Sequence, residues 1–64
     1  MITDVIKGLL IFERYIEDLN AAWISAEHDL IYAPDLDRRV SEEDGKRLDS
    51  LGWFYMDDVW QKHV

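Results

Sequence analysis

The chain contains no cysteine, so disulfides cannot staple it and a thiolate zinc site is excluded. Glycine is scarce, at 3 residues, and nowhere forms the Gly-rich loop that cradles phosphates. The apolar run Gly8-Leu9-Leu10-Ile11-Phe12 falls far short of the roughly 20 residues that span a bilayer. Asp4, Lys7, Glu13 and Arg14 flank it closely, unlike the flanks of a signal peptide, so a cytoplasmic location is expected. Basic residues are also in short supply. Only 7 Lys and Arg stand against 14 Asp and Glu, for a formal charge of −7 on 64 residues. Such a surface repels nucleic acid and anionic membrane and attracts basic partners.

What is present is core material. Apolar residues make up 48% of the chain, among them Trp23, Trp53, Trp60, Phe12, Phe54 and three tyrosines. Each aromatic removes about 150–250 Å² from water when buried, which separates this chain from a disordered acidic tail. The expectation is one small domain over residues 1–64. A domain of this size buries only about 60% of the surface its unfolded chain exposes. Its stability rests on a dense core or on association, so either a monomer or a dimer is compatible with the sequence.

Apolar periodicity predicts a helix over residues 3–19, capped by Thr3, with Val5, Leu9, Phe12, Ile16 and Leu19 in one stripe. Ile2, Ile6 and Leu10 widen the stripe, and Gly8 marks close packing against a sheet. Ile11 and Tyr15 lie off the stripe and form an outer apolar ridge. From residue 21 to 33 the period changes to two, giving two short strands joined tightly at His28-Asp29, the second ended by Pro34. Pro34 to Val40 reads as an exposed loop. Ser41 caps a short second helix with Glu42, Glu43 and Asp44 in its first turn, Val40, Leu48 and Leu51 along its apolar edge, and Gly52 at its end. The remainder reads as a hairpin turning at Asp57-Asp58, with Trp53, Tyr55, Trp60 and Val64 on one face and Lys62 snorkelling at its rim. Helix, hairpin, helix, hairpin defines an α+β fold: a small antiparallel β-sheet with two or three helices packed on one face.

Candidates for chemistry are few. Glu27-His28-Asp29 has the residue types of an acid–base or metal cluster, but alternate strand residues point to opposite faces, so a polar turn is the better reading. Asp35-Leu36-Asp37 has the D-x-D of a calcium loop without its glycine and closing glutamate. No activated nucleophile is evident. No cofactor and no metal are expected, and the chain reads as a non-enzyme. An aromatic platform for single strands needs a basic groove, so no direct nucleic-acid binding is expected either.

The segments Ile24-Ser25-Ala26-Glu27-His28-Asp29-Leu30-Ile31-Tyr32, Val40-Ser41-Glu42-Glu43-Asp44 and Leu51-Gly52-Trp53 resemble a pattern in small acidic proteins of phages and mobile elements. The resemblance spans roughly residues 22 to 60, mostly fold-setting positions, and that group of small acidic phage proteins includes the anti-CRISPR proteins. It implies an inhibitor that acts in the host-cell cytoplasm on a basic nucleic-acid-binding protein, a subunit of a Cas effector, by mimicking DNA charge. The charge clusters supply the candidate contact residues Glu42, Glu43, Asp44, Asp57 and Asp58, with Asp35 and Asp37 beside them. The alternative is an antitoxin-like regulatory or dimerisation module that binds a protein partner through apolar residues, the Ile11/Tyr15 ridge and exposed tryptophans.

Overall fold

The computed structural model describes residues 2–63. Helix α1 (Ile2–Glu13) leads through a 3-10 turn (Leu19–Ala21) to strands β1 (Ser25–Glu27) and β2 (Leu30–Tyr32). Helix α2 (Glu42–Ser50) and strands β3 (Trp53–Met56) and β4 (Val59–His63) complete the domain. The strands form one antiparallel sheet in the order β1-β2-β4-β3. Both helices lie on one face of it: Phe12 of α1 and Leu48 of α2 share a buried cluster with Trp53 and Ala33. The expected α+β architecture is what the chain adopts. No helix among the described residues is long and apolar enough to cross a membrane.

The core is built around one indole. Trp53 stacks edge-on against Phe12 with ring centroids 5.0 Å apart, and its Nε1 donates to the Asp4 carbonyl at 3.2 Å. Gly8 lies directly against this ring: a Cβ there would come within 2.0 Å of Trp53 Nε1. The α1 stripe that contains Gly8 therefore faces inward, with Val5, Leu9 and Phe12 packed on or in the core. Ile2, Ile6 and Leu10, expected to widen that stripe, instead face solvent, each at least half exposed.

Helix α1 stops at Glu13 rather than continuing to residue 19, and Thr3 lies within its first turn rather than capping it. The stop has a tertiary cause. The Tyr15 carbonyl accepts from the Asp37 amide at 2.9 Å, and the Arg14 carbonyl accepts from the Arg38 guanidinium at 2.5 Å. Helical partners for these carbonyls would have been the amides four residues on; the loop before α2 takes them instead. The first strand is likewise shorter than expected, because residues 19–21 form the 3-10 turn capped by the Asp18 side chain.

Elements set by local signals appear as expected. Ser41 caps α2, its side chain accepting from the Asp44 amide, and Gly52 takes the left-handed conformation (φ 88°) that ends the helix. The β3–β4 hairpin turns at Asp57-Asp58. Trp53, Tyr55, Trp60 and Lys62 share the helix-facing side: Trp53 pairs with Lys62 and Tyr55 with Trp60. Lys62 is buried, its Nζ reaching the rim beside Gly52. Val64, expected on the same face, lies outside the described residues.

Candidate partner-binding surface

The topology brings separate acidic segments to one end of the domain. Helix α1 runs from Trp53 towards Trp60, which packs against Phe12 at 6.2 Å. Strand β3 runs in the same sense and ends at the Asp57-Asp58 turn, and β4 returns to pair with β2. Ala33, just past β2, donates its amide to the Trp60 carbonyl at 2.8 Å. The 34–41 loop, the turn after α1 and the start of α2 thus converge where the β3–β4 hairpin turns. The Ser41 amide fastens this junction by donating to the Tyr15 hydroxyl at 3.1 Å.

Six of the seven residues proposed from sequence are exposed at this end: Asp35, Asp37, Glu42, Glu43, Asp57 and Asp58. Asp35 and Asp58 line a common groove of about 680 Å³ with Arg38, Arg39, Tyr55 and Trp60. The side chains of Asp35, Asp57 and Asp58 make no hydrogen bond or ion pair among the described residues. Glu42 and Glu43 hold only exposed pairs one helical turn away, to Lys46 at 3.8 Å and Arg47 at 3.3 Å. Pairs of this kind contribute about 0.3–0.5 kcal/mol, so a partner's cations can displace them.

Asp44 is different, and its assignment as a contact residue is corrected. It is buried, accepting from the Tyr15 hydroxyl at 2.5 Å and from the Arg14 guanidinium at 2.9 Å. The Tyr15 hydrogen bond does most to hold its carboxyl below the ordinary value, against the opposing effect of burial. The Arg14 hydrogen bond and the charges of Arg14 and Arg47 add to the lowering. A carboxylate so occupied braces the α1–α2 junction from within. The Ile11/Tyr15 ridge is corrected with it. Tyr15 is buried beneath Arg38, whose guanidinium carbon lies 4.7 Å from the ring centroid, and Ile11 packs against the core.

Two acids and one aromatic absent from the sequence-based set belong here. Glu17, Asp18, Asp35 and Asp37 line a second groove, of about 600 Å³, with Trp23 at its edge. No basic residue lines it. Asp37 accepts from the Glu17 amide at 2.6 Å, which folds the 14–18 turn onto the loop. Trp23 is 83% exposed, unlike the buried Trp53. The Glu17-Asp18-Leu-Asn20 sequence carried the available signal, since Asp18 accepts from the Asn20 amide, as an aspartate does when it starts a turn.

Glu27 ends β1 and His28-Asp29 forms the exposed β1–β2 turn, with His28 left-handed at φ 58°. Among the described residues no three His, Cys, Asp or Glu side chains are grouped to hold a metal ion. Comparison with protein-family models, curated proteins and solved structures found no match in any of the three.

Proposed function

We propose that the protein is a non-enzymatic inhibitor of the anti-CRISPR type, using its acidic end to occupy the basic nucleic-acid site of a Cas effector subunit. The observation that carries this reading is the convergence of exposed Asp35, Asp37, Glu42, Glu43, Asp57 and Asp58 at one end of the fold. Carboxylates displayed there stand in for phosphates opposite the partner's Lys and Arg, where charge-assisted hydrogen bonds form. Trp23, beside the groove that lacks basic residues, offers a face on which a partner's guanidinium can stack. Long-range attraction speeds the encounter and makes it salt-sensitive.

The test is target-DNA binding by a reconstituted Cas effector in the presence of the protein. The quadruple variant Glu42→Lys, Glu43→Lys, Asp57→Lys, Asp58→Lys is expected to lose at least tenfold in inhibition, about 1.4 kcal/mol. Wild-type affinity is expected to weaken steadily from about 0.05 to 0.5 M salt. Inhibition untouched by charge reversal, or indifferent to salt, would sink the reading.

A further inference from the structure

The sheet ends at β1, and no strand among the described residues pairs with its outer side. The alternation of the ladder shows which backbone groups are left over. Ala33 donates to the Trp60 carbonyl, so in the register of β2 with β4 both Ala33 and Ile31 bond towards β4. Leu30 and Tyr32 therefore bond towards Glu27 and Ser25, and the amide and carbonyl of Ala26 point outwards. Every residue from Trp23 to Asp29 is exposed. Ser25–Glu27 carries neither the proline nor the lysine that commonly blunts an edge. The opposite edge is less open: by the same alternation the backbone groups of Trp53 and Tyr55 point outwards on β3, and Trp53 is only 1% exposed.

We propose that β1 is a docking edge for an extended segment of a protein partner in which basic and apolar residues alternate. Unpaired ladder groups call for another strand, bound by main-chain hydrogen bonds and selected by the pockets that flank it. A strand's side chains alternate between its two faces, and the two sides of β1 differ in chemistry. Trp23 and Ser25 line the groove of about 600 Å³ that holds Glu17, Asp18, Asp35 and Asp37 and no basic residue. Ile24 lines the other side, a groove of about 370 Å³ with Ile6, Leu10 and Leu19, where Glu13 is the one charged residue. Lysine or arginine on the first side meets carboxylates and the face of an indole. An aliphatic residue on the second side covers Ile24, which is otherwise 55% exposed.

Charge chooses this occupant over the others. A second copy would bring its own −7 to the edge, and its β1 offers Glu27 where a cation is wanted. A nucleic acid has the same sign of charge and no peptide ladder. A cationic strand is drawn in by the field of the chain, and its amides and carbonyls extend the sheet. Strand addition of this kind requires no Cas effector, and the inhibitor proposed above requires no added strand.

The experiment titrates the full chain, isotopically labelled for nuclear magnetic resonance, with a capped octapeptide of alternating lysine and valine. Binding should saturate, and hydrogen exchange at the Ala26 amide should slow by about tenfold or more, with the Tyr55 amide on the far edge unchanged. A block peptide of the same composition, all lysines before all valines, should bind about tenfold more weakly, as should an alternating glutamate–valine peptide. Ala26→Pro removes the outward amide at an edge, where proline is tolerated. It should lower affinity for the alternating peptide by about tenfold with an unaltered far-ultraviolet circular dichroism spectrum. Should that variant unfold, the exchange measurement on the wild-type chain decides. No saturation at millimolar peptide, equal binding of the block or acidic peptide, protection at Tyr55 rather than Ala26, or full affinity in a folded Ala26→Pro would each overturn the proposal.

Discussion

Tyr15 and Asp44 hold the two helices together through a contact between residues 29 positions apart. The phenol donates to the carboxylate, and its oxygen accepts the Ser41 amide that precedes α2. Tyr15→Phe keeps the ring under Arg38 and removes both bonds. Hydrogen bonds to charged groups contribute about 1.5–3 kcal/mol, so the variant should lose about 2 kcal/mol, or on the order of 10 °C in Tm for a domain this small. Asp44→Asn should cost a similar amount, with a definite pH dependence. The folded state lowers the Asp44 pKa, so its stabilisation is complete above the unfolded value of about 3.9 and disappears as pH falls through the folded value. The gap in urea stability between wild type and Asp44→Asn should be constant above about pH 5 and close below about pH 4. A gap that widens on acidification would contradict this assignment. Asp57 and Asp58 present a different trade. Both are left-handed, at φ 55° and 65°, in a two-residue hairpin turn where Asn-Gly or Asp-Gly is favoured. Strained residues of this sort gather at functional sites. Asp58→Gly should raise stability by about 1 kcal/mol while weakening binding to the basic partner proposed above, and a binding assay beside a urea titration would read both effects.

Among the elements, α1 carries the sharpest packing constraint. Helix propensity alone has Gly8→Ala gaining about 1 kcal/mol. The indole of Trp53 stands where the new Cβ must go, and overpacking a well-filled core costs about 1–3 kcal/mol. Gly8→Ala should therefore destabilise, whereas Gly45→Ala in α2, with nothing within 4 Å of the added atom, should stabilise by about 1 kcal/mol. Thermal melts of the two variants should shift in opposite directions. The same residues explain what sequence could reveal about the fold. Ser41, Gly52, Pro34 and Asp57-Asp58 act within a few residues of themselves, so α2 and both hairpins were legible. The end of α1 was not, because Asp37 and Arg38, more than twenty positions on, take the carbonyls of Tyr15 and Arg14 just past it. Hydropathy placed Val5, Leu9 and Phe12 in the inward stripe but could not show that the row of Ile2, Ile6 and Leu10 beside it stays in solvent. That division is made by Gly8 admitting Trp53. At the acidic end, the exposed runs were readable from charge alone, while Asp44, in the middle of one, needed Tyr15 and Arg14 to reveal its inward role.

For the molecule as a whole, charge arrangement bears on nucleic acid itself, which this protein is expected not to bind. Counterion release drives such binding and requires several Lys or Arg converging on phosphates. The fold disperses or occupies its basic residues. Arg14 is engaged by Asp44, and Arg38 by the Arg14 carbonyl and the Tyr15 ring. Lys46 and Arg47 face Glu42 and Glu43, and Lys62 is buried. Arg39 is exposed, yet it lines a groove shared with Asp35 and Asp58. A phosphate approaching Arg39 meets two carboxylates lining the same groove and a net charge of −7 on the whole chain, and at about 0.1 M salt screening is strong only past about 10 Å. Gel-shift titrations of DNA and RNA at that ionic strength should show no complex at micromolar protein. Lowering the salt should not produce one, because weaker screening extends the repulsion of the acidic end, whereas a protein with a basic groove gains affinity as salt falls. A shift that strengthens at low salt would mean that the acidic end does not set the molecule's field.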